Sequence, residues 1–322
     1  MIADSDFGDV DIERAIAEEA GFALRAQQCK SEEEVVRYGR DADGILTQYA
    51  HIGSAAMDRL PNCRVIARYG TGVDIVDVDA ATRHGIQVTN APSEWCAEEV
   101  ADHAIALWLC AARKINEYDA STRAGEWQWQ TGEPIWRLRG RVFGILGFGA
   151  IARLIAERAR PFGVRLRSHD PFVDDERIRA AGVRPVSFDE LVEDSDYLVI
   201  QAPLTPDTHH LFDRATLARM KPTAMLVNTA RGPIVADAAL ADALTSGALA
   251  GAALDDLEEE PAKLRDWRPV NPLLHLPNAV VTPHAAYYSE QSLRAVRAIA
   301  AQEAVRVLTG QPPQSPVNTL GR

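Results

Sequence analysis

The feature that most constrains the fold is a series of short apolar runs, each separated from the next by an amphipathic stretch. Seven such runs occupy the second part of the chain, at residues 142–146, 164–168, 183–186, 197–200, 225–228, 250–253 and 280–282. Apolar strands that alternate with helices are typical of βαβ units, which pair into a parallel sheet. The series therefore predicts a complete doubly wound domain.

A shorter series precedes it, with apolar runs at residues 1–3, 23–26, 44–46, 65–68 and 87–89. Residues 11–20 and 31–38 have the pattern of capped helices, and a long helix is expected from about Ser93. A last helix, expected from Ser289 to about Leu308, cannot extend the second sheet and should return to the first.

These patterns together predict an α/β fold with two doubly wound parallel-sheet domains. A flavodoxin-like domain comprises residues 1–93 plus 288–322. A Rossmann-type nucleotide domain, residues 94–287, is inserted into it.

Charge and cysteine content exclude several classes of partner. The 322 residues carry a formal charge of −12, which disfavours sequence-independent binding to nucleic acid or anionic lipid. Cys29, Cys63, Cys96 and Cys110 form no CxxC pair and have no histidine at metal-ligand spacing, so we expect reduced thiols, no metal and a cytoplasmic location. The sequence contains neither a run of about 18 apolar residues nor a signal pattern, so no membrane partner is expected.

The segment GRVFGILGFGAIARLIAERA, residues 140–159, has the pattern of a strand, a glycine turn and a helix. Gly147 and Gly149 permit a tight turn in which backbone N–H groups, including those of Ala150 and Ile151, approach a pyrophosphate at the helix N-terminus. Ala152 takes the third glycine position, where one methyl group still fits.

Asp170 ends the next predicted strand, where a carboxylate can bind both ribose hydroxyls of NAD and repel the 2′-phosphate of NADP. NAD is therefore the expected cofactor, although Arg165 and Arg167 lie nearby in the sequence. A purely structural turn with a capping aspartate is the alternative interpretation.

Three further segments follow strands of the same domain: MLVNTARGPIV, AALDDLEEEP and VVTPHAAYYSEQS. Arg231 offers a planar fork for a carboxylate, and His284 can protonate a carbonyl oxygen or deprotonate a hydroxyl. Glu260 can pair with that histidine and favour its charged form near neutral pH. Each residue alone has a plainer explanation: a surface cation, a turn histidine, a hydrated acidic run. Together they predict reduction of a small 2-oxo acid.

Over nearly its whole length the chain resembles the D-isomer-specific 2-hydroxyacid dehydrogenase family. The motifs that carry the resemblance are RYGTGVDIVD, RLRGRVFGILGFGAIAR, QAPLTPDTHHL, NTARGPIV, ALDDLEEEP and TPHAAYYSEQ. It implies an NAD-dependent oxidoreductase that acts on a small D-2-hydroxy acid or 2-oxo acid. It also implies catalytic roles for Arg231, Glu260 and His284, and a substrate (catalytic) role for the first domain.

The resemblance implies further contacts. The residues that it places around the cofactor are Thr71, Val100, Ala202, Pro203, Thr208, Thr229, Ala230, Asp255 and His284, with Asp255 on the nicotinamide carboxamide. The backbone amides of Gly72 and Val73 would help Arg231 to hold the substrate carboxylate, and Tyr287 would lie next to the substrate. Relatives commonly have arginine and glycine where this chain has Ala150 and Ala152, so somewhat weaker cofactor binding is expected.

Within the family, SEWCAEEVADH and HAAYYSEQS are most similar to the branch of carboxy-terminal-binding proteins. Those animal members couple NAD(H) binding to transcriptional corepression, so an NAD(H)-sensing protein with little turnover is the alternative function. Formate oxidation is a second alternative, against which Glu260 argues. Relatives use the region of Trp127, Trp129 and Trp136 to contact a second subunit, so a homodimer is expected. Aromatic packing over one domain is the plainer explanation of these tryptophans.

Overall fold

Ten short strands form two parallel sheets in the computed structural model, which describes residues 1–259 and 268–321. These residues fall into two compact units. Unit 1 comprises residues 1–95 and 289–321, and unit 2 comprises residues 96–259 and 268–288. Within the described ranges, no helix combines the length and the apolar character needed to cross a membrane.

Unit 1 contains a sheet in the order β1-β2-β3. Its elements are α1 (Asp11–Glu19), α2 (Glu32–Gly39), β1 (Gly44–Thr47), α3 (Ser54–Met57), β2 (Val65–Arg68), α4 (Val78–Arg83), β3 (Gln87–Thr89) and, after unit 2, α12 (Glu290–Leu308). Ile2 forms single parallel bridges to Ala26 and to Leu46 of β1, so the segments around Ala26 and Ile2 continue the sheet beyond β1. If these two segments are counted as strands in chain order, the sheet order becomes 2-1-3-4-5, which is that of flavodoxin-like folds. Residues 1–3 and 23–26 are thus paired as predicted, but over too short a length to form regular strands.

Unit 2 contains a seven-stranded sheet in the order β10-β9-β8-β7-β4-β5-β6. Its elements are α5 (Ala97–Ala112), α6 (Ile115–Arg123), β4 (Val142–Leu146), α7 (Ala150–Ala159), β5 (Arg165–His169), α8 (Asp175–Ala180), β6 (Arg184–Pro185), α9 (Phe188–Asp194), β7 (Tyr197–Ile200), α10 (Arg214–Ala218), β8 (Met225–Asn228), α11 (Asp237–Ser246), β9 (Gly251–Leu254) and β10 (Ala279–Val281). All seven predicted strands are present, and the predicted α/β fold with parallel sheets is confirmed.

Alternate residues of the central strands of unit 2 pack into different hydrophobic clusters. In β7, Tyr197 and Val199 contact the cluster that includes α5 and α7, whereas Leu198 and Ile200 contact the one that includes α9, α10 and α11. Because side chains alternate across a strand, both faces of the sheet are covered. This explains why the strands are continuous apolar runs in the sequence.

The helix expected from Ser93 is interrupted. Ser93–Trp95 forms a short 3-10 turn, and Cys96 has a non-helical backbone (φ −138°, ψ 11°) before α5 begins. The last helix begins within one residue of its predicted start, because Ser289 and Ser292 form a reciprocal capping box. It packs against α1, where Arg297 donates hydrogen bonds to Glu13 and Asp9.

Candidate active site

The glycine turn lies where the strand order of unit 2 reverses, between β4 and β7. Gly147 has a φ of +87°, and a Cβ there would lie 2.8 Å from the carbonyl oxygen of Gln201. Glycine is therefore required both by the left-handed backbone and by the lack of space for a side chain. Gly149 differs, because a Cβ there would meet no heavy atom within 4 Å. Its neighbourhood is open space at the start of α7. The protein itself leaves room there for a ligand to approach the backbone.

The N-terminus of α7 suits an anion. Gly149 is the residue before the helix, and no described side chain caps the first turn, which begins at Ala150 and Ile151. The N–H groups of a helix N-terminus bind pyrophosphate oxygens favourably. Ala152 is 1% exposed and packs into the core beneath the turn, as expected for the third position of the motif. The turn therefore fits the diphosphate of a dinucleotide.

Asp170 lies beside this turn. Its Oδ2 accepts a hydrogen bond from the N–H of Phe148 (2.7 Å), and its Oδ1 accepts one from the N–H of Phe172 (2.8 Å). Arg167, which could have met a 2′-phosphate, instead donates to Glu190 (2.9 Å) and Asp194 (2.6 Å) with its side chain only 12% exposed. NAD is favoured over NADP because the Asp170 carboxylate lies at the turn and Arg167 is already paired with two carboxylates.

Two loops after the neighbouring strands carry the remaining predicted cofactor residues of unit 2. Ala202 and Pro203 follow β7, and the Thr208 hydroxyl donates to the carbonyl oxygen of Pro203 (2.7 Å), which closes that loop on itself. Thr229 follows β8 and accepts a hydrogen bond from the side-chain amide of Gln201, so the two loops are tied together.

Asn228, the last residue of β8, fixes the turn that carries Arg231. Its Oδ1 accepts from the N–H of Ala230 (3.0 Å), and its Nδ2 donates to the carbonyl oxygen of Arg231 (2.8 Å). Asn228 is 1% exposed, so its amide is buried and these hydrogen bonds satisfy it. The Arg231 guanidinium is part-buried and donates through Nη1 to the carbonyl oxygen of Ala230 (2.8 Å). Sequence reasoning missed Asn228, although asparagine often organises turns in this way.

Gly232 shows why the next residue is glycine. A Cβ there would lie 2.0 Å from the carbonyl oxygen of Leu257, so the loop after β9 passes directly over this backbone. The N–H of Gly232 donates to Asp256 Oδ2 (3.2 Å), which joins the two loops by a second contact. The arginine turn and the segment after β9 thus form one packed assembly.

His284 follows β10 with its backbone in the left-handed region, at a φ of +51°. Its N–H donates to the carbonyl oxygen of Asp255 (2.6 Å), and its Nδ1 lies 3.9 Å from Asp256 Oδ2. The side chain is 24% exposed, so the imidazole is not sealed away from solvent. The Tyr287 ring is 6.1 Å from the imidazole, between ring centres.

Asp255 holds the loop that carries His284. Its carboxylate accepts from the Thr282 hydroxyl (2.6 Å) and from the N–H groups of Ala285 (2.9 Å) and Ala286 (2.8 Å). His103 lies close by, with its Nε2 3.0 Å from the Thr282 hydroxyl oxygen. Asp255 is thus a structural anchor, and its contact with a nicotinamide carboxamide remains a prediction. His103 and Thr282 were not identified from the sequence.

Arg231, Asp255 and His284 follow β8, β9 and β10, which are neighbours in the sheet, so the structure gathers them at one edge. Val100 is buried in the first turn of α5. Thr71, Gly72 and Val73 belong to unit 1, where they follow β2. Glu260 lies outside the described residues. Within the described ranges, no group of three or more potential ligands could hold a metal ion.

Comparisons with known proteins identify the family of this chain. Residues 105–286 match the family described as D-isomer specific 2-hydroxyacid dehydrogenase, NAD binding domain. A D-3-phosphoglycerate dehydrogenase of Archaeoglobus fulgidus is 36% identical over 299 residues, which are 92% of this chain but 55% of that protein, so the chain spans about half of its length. A glyoxylate reductase of Korarchaeum cryptofilum is 36% identical over 292 residues, 89% of this chain and 86% of that protein.

Among solved structures, an NAD-dependent formate dehydrogenase from Staphylococcus aureus in complex with NAD is 32% identical. It aligns with a TM-score of 0.86 over 96% of this chain and 92% of that chain. The two curated relatives likewise cover 92% and 89% of this chain, so the similarity reaches beyond the nucleotide-binding unit. The chain belongs to the D-isomer-specific 2-hydroxyacid dehydrogenase family, and it contains the NAD-binding domain of that family.

Proposed function

We propose that this chain interconverts a small D-2-hydroxy acid and the corresponding 2-oxo acid with NAD as cofactor. The observation that carries the proposal is the arrangement of Arg231 and His284 after β8 and β10, on either side of β9, in the NAD-binding unit. A guanidinium that can bind a carboxylate and an accessible imidazole that can move a proton are the two groups that this reaction needs from the protein.

In this proposal Arg231 binds the carboxylate of the substrate and so orients its second carbon. When bound, NAD(H) supplies or accepts the hydride at that carbon. His284 donates a proton to the carbonyl oxygen during reduction, and it removes the hydroxyl proton during oxidation. The turn at Gly147 and Gly149 and the carboxylate of Asp170 hold the dinucleotide.

Other roles in the proposal rest on the family resemblance. They are the pairing of Glu260 with His284, the help of the Gly72 and Val73 amides in carboxylate binding, and the position of Tyr287 beside the substrate. The class of substrate, a small acid, also belongs to the proposal. It is supported by the relatives, which are named for glyoxylate and 3-phosphoglycerate.

A panel of 2-oxo acids with NADH, followed at the nicotinamide absorbance, tests the proposal. His284→Gln should lower kcat by about 10²-fold or more, the usual scale for a lost general acid. Arg231→Ala should abolish most substrate use, because a carboxylate loses its charged partner, yet leave NADH binding largely intact. The assignment of Arg231 would be wrong if Arg231→Ala turned over 2-oxo acids normally.

The narrower resemblance to carboxy-terminal-binding proteins supports the alternative, an NAD(H)-sensing protein with little turnover. It rests on SEWCAEEVADH and HAAYYSEQS, whereas the relatives from Archaeoglobus fulgidus, Korarchaeum cryptofilum and Staphylococcus aureus are named as enzymes. NADH binding without turnover of any acid in the panel would favour this alternative. Turnover of formate alone would instead favour an activity like that of the Staphylococcus aureus relative.

We further propose that the chain forms a homodimer. Trp127 and Trp129 are 88% and 67% exposed, so they do not pack over their own unit, and large exposed aromatic side chains are enriched at interfaces. Trp136 is partly engaged, with Arg141 4.9 Å from its ring centre. Light scattering should give twice the monomer mass, and Trp127→Ser with Trp129→Ser should shift it toward the monomer.

We also propose that the protein is cytoplasmic and that it does not bind nucleic acid. Burial raises the pKa of the Cys29 thiol to about 11 and that of Cys63 to about 12, which keeps both thiols protonated and poorly reactive at neutral pH. The net charge of −12 supports the absence of a nucleic-acid partner.

A further inference from the structure

We propose that Asp256 is a positioning residue for the reaction, a buried carboxylate that holds the His284 imidazole in its charged form and orientation. The inference rests on the proposed function, because it assigns a role in proton transfer. Asp256 is the second residue after β9, and its side chain is 3% exposed. Its Oδ2 lies 3.9 Å from His284 Nδ1, within ion-pair distance.

The position of Asp256 is also fixed by the arginine turn. The same Oδ2 accepts a hydrogen bond from the N–H of Gly232 (3.2 Å), the residue next to Arg231. The backbone of Gly232 also contacts that of Leu257 so closely that a side chain would not fit between them. One carboxylate oxygen thus contacts the arginine turn and faces the imidazole. A shift in either loop would change the distance between carboxylate and imidazole.

Other charged or titratable groups around His284 have their own interactions. Asp255 uses its carboxylate on Thr282 and on two backbone N–H groups. His103 lies 3.5 Å from that carboxylate, and Tyr287 contacts the imidazole through its ring. Arg231 is the cation in the turn after β8, and Glu260 lies outside the described residues. The Asp256 carboxylate lies within ion-pair distance of the His284 ring.

The physical consequence concerns the proton. A negative charge about 4 Å from Nδ1 stabilises the imidazolium relative to the neutral ring, and burial of the carboxylate limits screening by water. Because Asp256 faces Nδ1, the proton that His284 exchanges with the substrate oxygen is the one on Nε2. Reduction needs the imidazolium and oxidation needs the neutral imidazole, so Asp256 should extend reduction to higher pH.

Asp256→Asn tests this role, because the amide oxygen can still accept from Gly232 while the charge is lost. The pH at which kcat/KM for 2-oxo acid reduction falls should move down by about 1 unit, the lower end of the usual effect of a neighbouring opposite charge. The KM for the 2-oxo acid should change little. Asp256→Glu, which keeps the charge, should restore the wild-type midpoint at least in part.

Asp196→Asn is the matched control. Asp196 is also buried (5% exposed), but it precedes β7 at the opposite edge of the sheet, where it pairs with Arg141 and Lys221. Its loss should lower stability without moving the pH midpoint of catalysis. An equal shift in both variants would mean a general structural effect and would overturn the proposal, as would an unchanged midpoint in Asp256→Asn.

A second measurement does not depend on turnover. NMR titration of the His284 ring signal, assigned by its loss in His284→Gln, should show a lower midpoint in Asp256→Asn than in the wild type. Asp256→Ser, which also keeps an oxygen for Gly232, replaces Asp256→Asn if that variant does not fold. If the wild type reduces no acid in the panel, the proposed function fails, whereas an unchanged ring titration overturns the role of Asp256 alone.

Discussion

Gly232→Ala offers a test of how closely the turn that carries Arg231 packs against the loop after β9. The added Cβ would lie 2.0 Å from the carbonyl oxygen of Leu257, and Cβ contacts below 3.0 Å essentially never occur, so the loop after β9 must move by at least about 1 Å. Displacements of this size at a reacting group cost on the order of 10²-fold in rate. We therefore expect kcat/KM for a 2-oxo acid to fall by about that factor.

Stability should fall as well. Overpacking of a buried site costs about 1–3 kcal/mol in the free energy of unfolding, and each kcal/mol lowers Tm by about 2–4 °C for 150–250 residues. NADH affinity should fall less than kcat/KM, because the turn at Gly147, which holds the diphosphate in the proposal, follows β4 rather than β8 or β9.

Gly251→Ala, in β9 itself, is the control for this experiment. Its nearest heavy atom, the carbonyl oxygen of Asn278, would lie 3.2 Å from the new Cβ, so only a slight adjustment is needed. Steady-state kinetics, thermal unfolding and NADH titration of both variants would decide the matter. Wild-type kcat/KM in a folded Gly232→Ala protein would refute the reasoning.

Two further predictions concern cofactor binding and stability. In Gly149→Val the new side chain would lie in open space, and valine tolerates the φ of −75°, so Tm should not change. The affinity for NADH, measured by fluorescence titration, should fall at least about tenfold because the side chain occupies the space of the dinucleotide. Unchanged affinity would contradict a dinucleotide at this turn. Arg297→Ala leaves the carboxylate of Glu13 (1% exposed) without its cation, so the free energy of unfolding, measured by urea titration, should fall by about 3–5 kcal/mol. Arg123 pairs with Asp119 at the exposed surface, so Arg123→Ala should cause no measurable loss. Equal effects of the two substitutions would contradict the argument.

Much of the fold could be predicted because burial on both faces leaves a clear trace in the sequence. The strands that surround the glycine turn, such as β4 and β7, lie within a residue of their predicted positions. Residues 1–3 and 23–26 form only single bridges, since an apolar run does not reveal how far its partners extend. The break at Cys96 was missed because the helical spacing of Ala97, Ala101 and Ala104 indicates the helix but not the residue at which it begins.

The site was predictable only in part. Arg231 and His284 have chemical types that stand out after a strand, and Gly147 has a pattern that reports its conformation. Asn228 and Asp256 form hydrogen bonds with the backbone of loops, and hydrophobic periodicity does not predict the course of a loop. The carboxylate of Asp256 follows another aspartate in the sequence, and nothing in that pair indicates which of the two faces the imidazole.

The left-handed backbone of His284 has a consequence for protein engineering. A non-glycine residue in that region is strained, and it persists because Asp255 binds the backbone on its far side. The imidazole therefore takes its place when the chain folds, before any acid arrives. Libraries that diversify Tyr287 to change substrate preference can keep the proposed proton donor in place, provided that Asp255 and Thr282 are left unaltered.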